Sequence, residues 1–311
     1  MKNHLRKKRV VQIFLIVCGM MVLTFLAHHY EHPDIQISHT EEIVIPGVEE
    51  EYEFLFLTDL HLAVKTRDDI GPLGDADTRM AGFANVKGTE SAQQLPQWID
   101  YANKKQVAAV LMGGDMNDYY SEVIAEYLFD NINRLKMPYL YTLGNHEFYS
   151  PWEEDVLEES VIYELFQERN TAFQVLEYEE FVICAIDNEA YEVNEASLAA
   201  MRSWLEENPD KPIILLAHVP FYTEKIPELS DISASVWGRP LLIGEATGYA
   251  TEVSKEFMNL ILSEESPVVA IFTGDNHFYH KGNLTDSIVQ WVGAPAYAGD
   301  GMIIKVKGNE K

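Results

Sequence analysis

Five short polar motifs contain the residues of this chain that are best suited to chemistry. Each motif follows an apolar, β-favouring run, which is where an α/β sheet presents its functional loops. In chain order the motifs are Asp59-Leu60-His61, Gly114-Asp115-Met116-Asn117-Asp118, Gly144-Asn145-His146-Glu147, the isolated His218, and Gly274-Asp275-Asn276-His277. Carboxylate, amide and imidazole groups together form a ligand set that hard and borderline divalent ions accept. We therefore expect the motifs to converge on a metal centre.

The spacing within the motifs suits close approach to a charged centre. Asp59 and His61 stand two residues apart after a strand, so both can reach one point if the chain turns there. Asp115 follows two glycines, which allow the backbone to approach that point closely. Two ions bridged by one carboxylate, about 3.5–4 Å apart, generate a metal hydroxide and clamp both oxygens of an in-line phosphoryl displacement. The pattern therefore favours hydrolysis at phosphorus.

Each motif alone also has a simpler structural interpretation. Asp59 could cap a turn, His218 could be an ordinary core histidine, and Asp275 with His277 could form a β-turn between strands. The order of the five motifs and their common position after apolar runs favour a joint site over five separate coincidences.

The five motifs resemble those of the calcineurin-like metallophosphoesterase superfamily, whose pattern is D-x-H, G-D-x-x-D, G-N-H-D/E, H and G-H-x-H. The resemblance covers about residues 54–292. It implies an α/β sandwich of two mixed sheets flanked by helices. It also implies a centre of two divalent metal ions, at which a metal-bound hydroxide attacks phosphorus.

The resemblance further implies a role for each motif residue. The first ion would be bound by Asp59, His61 and His277. Asp115 would bridge the two ions. The second ion would be bound by Asn145, His218 and, provisionally, Asp275. His146 would protonate the leaving oxygen, and Asp118 would orient its imidazole.

Asp275 departs from the family pattern, which has histidine at this position. A third carboxylate among the ligands lowers the summed charge of ligands and two divalent ions from about +2 to about +1. This change favours Mn, Fe or Mg over Zn at the second site, with Mn and Fe preferred. His280, three residues beyond His277, is an alternative ligand whose spacing fits less well.

Tyr119 is a second departure. It follows Asp118 where the Ser/Thr protein-phosphatase branch of the superfamily has Arg and then Gly. We therefore expect a small-molecule or envelope-bound phosphoester as substrate. Phosphomonoesterase, phosphodiesterase and pyrophosphatase activities stay open, and so does a degenerate member that binds a metal or ligand at the surface without catalysis.

The net charge narrows the choice of partners. The 311 residues have a formal net charge of −27. Binding to a nucleic-acid backbone requires clustered Lys and Arg, so we expect no such partner.

The N-terminus has the pattern of a membrane anchor. Five basic residues between positions 2 and 9 precede the almost wholly apolar segment 10–27, and the first acidic residue is Glu31. This length is near the minimum for a membrane-spanning helix, and the positive-inside rule places the tail in the cytosol. A cleaved signal peptide is the alternative, but a clean small-x-small cleavage site is missing. We expect a single-pass protein of the cell membrane with its catalytic domain outside the cytoplasm.

The resulting domain prediction is a basic tail over 1–9, a transmembrane signal anchor over 10–27, a linker over 28–40 and one metallophosphoesterase domain over 41–311. Cys184 lies in an apolar, strand-like run and is expected in the core. The segment 62–90 has no clear period and is expected to be a long loop, either functional or disordered.

Elsewhere the pattern alternates between strands and helices, which indicates a mainly parallel core sheet. Strands are predicted over 42–46, 52–58, 107–112, 139–143, 181–186, 212–217 and 268–273, and helices over 91–105, 121–135, 151–169, 194–207 and 251–263. Short strands with glycine turns are predicted from there to 306.

Overall fold

The computed structural model describes residues 34–64, 76–119, 121–148, 170–245 and 247–309. Eleven strands in these ranges form two mixed sheets, with helices on their outer faces. The predicted α/β sandwich is therefore confirmed. The predicted helix over 151–169 and the predicted anchor over 10–27 lie outside the described residues. Within the described ranges, no helix combines the length and the apolar character needed to cross a bilayer.

The first sheet presents the first three motifs. Its five strands are, in spatial order, β1 (Gln36–Val44), β11 (Asp300–Lys307), β2 (Tyr52–Leu57), β3 (Ala109–Met112) and β4 (Tyr139–Tyr141). Strands β2, β3 and β4 are parallel, β11 is antiparallel to β2, and β1 is parallel to β11. The carboxyl ends of β2, β3 and β4 therefore share one edge with the amino ends of β1 and β11.

The second sheet presents the last two motifs. Its six strands are, in spatial order, β5 (Phe173–Glu177), β6 (Val182–Ile186), β7 (Ile213–Leu216), β8 (Val268–Thr273), β10 (Val289–Val292) and β9 (His280–Asn283). Strands β6, β7, β8 and β10 are parallel, and the two outer strands are antiparallel to their neighbours. The five motifs follow the carboxyl ends of β2, β3, β4, β7 and β8. The side of the sandwich on which these strands end is called the motif edge.

Alternating side chains of each strand supply two different layers of the core. In β2, Phe54 and Phe56 face the second sheet, whereas Leu55 and Leu57 face the helices. The Phe56 ring lies 5.7 Å from that of Phe272 across the sandwich. Because both faces of the parallel strands are covered, their sequences are continuous apolar runs.

Six helices of the described chain flank the sheets. Those on the side of the first sheet are α1 (Ala76–Gly82), α2 (Ser91–Lys105) and α3 (Glu122–Ile132), and those on the side of the second are α4 (Glu195–Glu207), α5 (Pro227–Trp237) and α6 (Glu252–Ile261). Cys184 is fully buried in β6, as predicted, and burial raises the pKa of its thiol to about 12.

Several predicted boundaries require correction. The first strand begins at Gln36, inside the predicted 28–40 linker and before the predicted strand 42–46. It is an edge strand with alternating exposed and half-buried side chains, so its polar composition resembles that of a linker. Part of the segment 62–90, predicted as a loop, forms helix α1. Strand β5 and helix α5 were not predicted.

Candidate metal centre

Backbone hydrogen bonds join the motif loops to one another. The N–H groups of Asp59 and His61 donate to the carbonyl oxygens of Gly114 and Asp115, at 3.0 and 2.9 Å. The N–H of Gly274 donates to the carbonyl of His218 at 2.8 Å. The first motif is therefore fixed against the second, and the fourth against the fifth.

Four of the predicted ligands form a cluster around one point. Donor atoms of Asp59, His61, Asp115 and His277 all lie within 4.8 Å of one another. The Nε2 atoms of His61 and His277 are only 3.0 Å apart, where two lone pairs repel unless a proton or a cation lies between them. Asp59 Oδ1 is 3.4 Å from His277 Nε2. This mixed oxygen and nitrogen set fits a divalent ion.

His218 marks a second cluster beside the first. Its Nε2 lies 3.4 Å from Asp115 Oδ1 and 3.6 Å from Asp275 Oδ1. Its Nδ1 donates to the carbonyl of Gly113 at 2.7 Å, which directs Nε2 toward the carboxylates. Among the described residues, this buried Nε2 has no hydrogen-bond partner. A ligating histidine typically has this arrangement, with one nitrogen fixed by a carbonyl and the other facing the ion.

The electrostatics around His218 favour positive charge. Burial opposes a positive charge on this imidazole, yet the carboxylates of Asp115, Asp275 and Asp59 raise its pKa well above the ordinary value. The surroundings thus favour positive charge at this position, which a bound metal ion would supply.

Asp115 lies between the two clusters. Its Oδ2 is 3.7 Å from His61 Nε2, and its Oδ1 is 3.4 Å from His218 Nε2. Burial disfavours the carboxylate, but the nearby His218, His146 and His61 hold its pKa far below the ordinary range. Two oxygens of one ionised carboxylate that face different clusters are the arrangement that a bridging ligand requires.

Asn145 begins a 3-10 helix, Asn145–Glu147, four residues after the end of β4. Its Oδ1 is buried and, in the part of the chain that the structure describes, has no hydrogen-bond partner. A Cβ at Gly144 would lie 2.2 Å from Asp115 Oδ1. Only glycine therefore allows this loop to approach the predicted bridging carboxylate.

Asp275 belongs to the second cluster. Its Oδ1 accepts a hydrogen bond from the Tyr191 hydroxyl at 2.8 Å, and its N–H donates to Asp59 Oδ1 at 3.1 Å. Burial raises the pKa of Asp275 to about 7. The alternative ligand His280 lies elsewhere, with its Nε2 3.7 Å from Glu228 of α5. Asp275, rather than His280, is therefore the side chain that faces His218 in the second cluster.

Strained backbone is concentrated at the centre. Seven non-glycine residues of the described chain have a positive φ angle, and five of them are predicted metal ligands: Asp59 (53°), His61 (45°), Asp115 (51°), Asp275 (65°) and His277 (58°). Tyr191 (60°), which contacts Asp275, is a sixth. Each such residue costs about 1 kcal/mol or more, and strain of this kind clusters at functional sites.

Asp118 contacts His146 through its main-chain oxygen. His146 Nδ1 donates to the main-chain oxygen of Asp118 at 2.6 Å, whereas the Asp118 carboxylate is 3.6 Å away. That carboxylate lies 3.3 Å from His61 Nδ1 and accepts two hydrogen bonds from the Arg79 guanidinium. The main chain of Asp118 therefore holds His146 Nδ1, whereas the carboxylate of Asp118 contacts His61 and Arg79.

Arg79 is a site residue that the sequence did not reveal. It lies on α1, and its guanidinium forms a two-pronged ion pair with Asp118. It also lies 5.5 Å from the ring of Phe83, which stacks on His61 at 4.2 Å. No motif surrounds Arg79, so only the fold brings it to the centre.

Glu147 has a structural role that its place in the third motif could have suggested. Its buried carboxylate accepts hydrogen bonds from five groups: the N–H groups of Gly144, Asp115, Met116 and Asn117 and the hydroxyl of Tyr141. Burial and the charge of Asp115 raise its pKa to about 7, and these donors act in the opposite direction. Glu147 thereby fixes the second motif loop to the third.

Aromatic rings line the side of the centre nearest the first cluster. The rings of Trp237 and Tyr297 contact His277 at 5.0 and 5.3 Å, and Phe83 lies 5.1 Å from Tyr297. The Trp237 indole N–H also donates to the main-chain oxygen of Asn276 at 3.2 Å. Helix α5, which ends at Trp237, is thus joined to the last motif.

The two sheets form an α/β sandwich, and the cluster of Asp59, His61, Asp115 and His277 beside them is a candidate metal-binding site. Residues 52–243 match the family described as calcineurin-like phosphoesterase. This match covers more than half of the chain, and the protein belongs to that family. No curated protein matches the chain.

Three solved structures similar to this chain come from three different organisms. A dimetal phosphatase from Danio rerio has a TM-score of 0.49 and 12% identity, over 79% of this chain and 88% of that one. GAP50 of Plasmodium, titled the anchor in the inner membrane complex, has a TM-score of 0.44 and 11% identity, over 80% and 72%. TT1561 of Thermus thermophilus has a TM-score of 0.41 and 12% identity, over 80% and 91%. At such identities these similarities say nothing about activity.

Proposed function

We propose that this protein hydrolyses phosphoester bonds at a centre of two divalent metal ions. The observation that supports this most directly is the position of Asp115, whose two oxygens face His61 and His218 in separate clusters. Asp115 would be shared by the two ions. The remaining ligands would be, for the first ion, Asp59, His61 and His277, and for the second ion, Asn145, His218 and Asp275.

When bound, the two ions supply an activated water and positive charge that stabilises the phosphoryl group during displacement. A bond forms from the water oxygen to phosphorus, and the bond from phosphorus to the ester oxygen breaks. The carbonyl of Asp118 holds His146 by its Nδ1–H, which leaves Nε2 to give a proton to the departing oxygen. Glu147 keeps the loops of Asp115 and His146 at a fixed separation.

The proposed metals are Mn or Fe, with Mg as a further candidate at the second site. The support is Asp275, a hard oxygen ligand where the family pattern has an imidazole nitrogen. Its carboxylate is also stabilised by the Tyr191 hydroxyl.

We further propose that the protein is a single-pass membrane protein with its catalytic domain outside the cytoplasm. The support is the basic flank and the apolar segment 10–27 in the sequence. The substrate would be a small-molecule or envelope-bound phosphoester, because Tyr119 departs from the protein-phosphatase pattern.

The test is an assay of the full-length chain in detergent micelles, with the Asp115→Asn variant as control. Hydrolysis of an activated phosphodiester and of the matching monoester is measured with Mn, Fe, Zn and Mg added in turn. We expect metal-dependent turnover that the variant lacks, and the preferred ester gives the class. Two bound ions without turnover would instead indicate the non-catalytic binding protein, and no bound metal would refute the centre itself.

A further inference from the structure

The N-terminal segment joins the domain at the motif edge. Strand β1 is parallel to β11, and β11 is antiparallel to β2, so the first residues of β1 lie where β2 ends. Gln36 pairs with Asp300, and its N–H donates to the carbonyl of Gly299 at 2.8 Å. Only β11 separates β1 from β2. The point of attachment is therefore about 10 Å from the end of β2 along the sheet.

Asp34 is fixed at that edge by its neighbours. Asn85 donates to its carbonyl at 2.8 Å, and Gln97 donates to its carboxylate at 3.3 Å. Asn85 follows Phe83 by two residues, and the Phe83 ring stacks on His61 at 4.2 Å. The attachment point and the first metal cluster are thus joined through one short segment of chain.

Few residues separate this point from the proposed membrane anchor. The apolar segment ends at position 27, and six residues, 28–33, precede Asp34. A fully extended chain spans at most about 3.6 Å per residue, so seven Cα-to-Cα steps reach about 25 Å. The motif edge is therefore held within about one domain radius of the membrane surface.

Exposed apolar side chains concentrate at the same edge. Five large hydrophobic residues of the described chain are exposed: Val44, Val86, Ile232, Val236 and Trp237. Val86, fully exposed, follows Asn85, which holds Asp34. Ile232, Val236 and Trp237 belong to α5, which also lies at the motif edge.

Helix α5 lies across the motif edge, and both of its ends contact residues there. At its carboxyl end, the Trp237 indole N–H donates to the main-chain oxygen of Asn276. At its amino end, Glu228 lies 3.7 Å from His280, which pairs with Val292 at the end of β10. Ile232 and Val236 are one turn apart, and they are 39% and 53% exposed. Val44 alone lies at the opposite end of β1. We call Val86, Ile232, Val236 and Trp237 the apolar rim.

We infer that the motif edge faces the membrane that holds the chain, and that the substrate is a phosphoester carried by a lipid of that membrane. This inference rests on the proposed hydrolysis and on the proposed anchor. The apolar rim contacts the bilayer interface, where tryptophan is favoured. The net charge of −27 gives no attraction to anionic lipids, so the tether and the apolar contacts hold the edge there. Hydrolysis leaves the lipid alcohol in the bilayer, and its oxygen takes the proton from His146.

The first test measures contact directly and requires no turnover. The full-length chain is reconstituted in phosphatidylcholine vesicles whose acyl chains are brominated, and quenching of tryptophan fluorescence is compared with that of Trp237→Phe. All proteins compared carry Trp152→Phe and Trp204→Phe, and the remaining Trp98 and Trp291 are 1% and 3% exposed and contribute little quenching. We expect Trp237→Phe to lose most of the quenching and Val236→Ser to reduce it by about half. Equal quenching in all three proteins would overturn the inference.

Val44→Ser is the matched control, because Val44 is 49% exposed but lies at the far end of β1. It should leave the quenching unchanged. A reduction equal to that of Val236→Ser would also count against contact through the apolar rim.

The second test raises the site above the bilayer. A rigid helical spacer of five EAAAK repeats, about 37 Å long, is inserted between Glu31 and His32. Hydrolysis of phosphatidic acid in the same vesicles should then fall at least tenfold relative to that of p-nitrophenyl phosphate in solution. An unchanged ratio would overturn the inference. Failure of the unmodified chain on every ester would refute the proposed hydrolysis, whereas the quenching result would still decide the orientation.

Discussion

The main-chain oxygen of Asp118 accepts a hydrogen bond from His146 Nδ1 at 2.6 Å, while the carboxylate of the same residue is held by Arg79. One residue thus contacts the proposed acid through its backbone and the first metal cluster through its side chain. The carboxylate also lies 3.3 Å from His61 Nδ1, and a carboxylate in this place fixes the orientation of a ligating imidazole.

This arrangement predicts different effects for two variants. His146→Ala removes the proton donor, so it should slow esters with poor leaving groups by about 100-fold to 10,000-fold and spare esters with good ones. Asp118→Asn retains the backbone hydrogen bond, so it should leave that dependence on the leaving group unchanged. Rates for a series of substituted phenyl esters provide the measurement. A steeper dependence of the rate on the leaving group in Asp118→Asn would show that the side chain of Asp118, and not its main chain, orients His146.

Asp118→Asn should instead weaken the first metal site. Loss of the charged partner of His61 and Arg79 is expected to reduce affinity for one of the two ions by about 10- to 100-fold. Calorimetric titration of the metal-free protein with Mn resolves the two sites. Asp100→Asn is a suitable control, because Asp100 pairs with Arg134 on the surface, away from the centre.

Asp275→His restores the residue of the family pattern and should shift metal preference toward Zn. The substituted imidazole is a softer ligand than the carboxylate, and the hydroxyl of Tyr191 loses its charged acceptor. Competitive titration with Mn and Zn should show the ratio of their affinities at the second site changing by at least about tenfold. Tyr191→Phe retains the carboxylate and should move this ratio less. An identical ratio in Asp275→His and the unaltered protein would exclude Asp275 as a ligand.

Glu147→Gln should destabilise the fold as well as the centre. A glutamine has one acceptor oxygen in place of two, so at least one of the five groups that donate to Glu147 loses its partner inside the protein. An unpaired buried donor costs about 1–3 kcal/mol. Urea unfolding of the metal-free protein measures this loss, with the exposed Glu179→Gln as control. Equal stability of the two variants would contradict the role of Glu147 as a fixed link between loops.

The stability of the metal-free protein should fall as pH rises from about 5 to 8. Burial and the neighbouring Asp187 raise the pKa of Glu189 to about 8, and burial raises that of Asp187 to about 6. Both pKa values exceed those of the unfolded chain, so the folded state binds more protons in this window and loses stability as they dissociate. Glu189→Gln should flatten the slope, measured as the free energy of unfolding against pH. A slope that stays unchanged would show that Glu189 does not titrate in this window.

The sequence was sufficient to choose four residues that the fold gathers within 4.8 Å of one another, Asp59, His61, Asp115 and His277, because each is a ligand-type side chain shortly after a strand. Asp115 and His218 could be paired only by resemblance, and the fold then places them 3.4 Å apart. Arg79 and Tyr191 could not be predicted, since neither has a motif around it and each reaches the centre by tertiary packing. The edge strand β1 was placed too late in the chain for a related reason. An edge strand buries little, so its residues lack the apolar run that marks the inner strands.

Strand β11 has a consequence for biogenesis. It lies between β1 and β2, and the adjoining residues Ala296 and Tyr297 donate to the carbonyls of Thr58 and Asp59. A chain that emerges amino terminus first therefore presents the unpaired edge of β2 until about residue 307 has followed. Until then the carbonyls of Thr58 and Asp59 lack these two donors, so the first motif is completed only after synthesis of nearly the whole domain. During this interval a chaperone would have an open strand edge to bind.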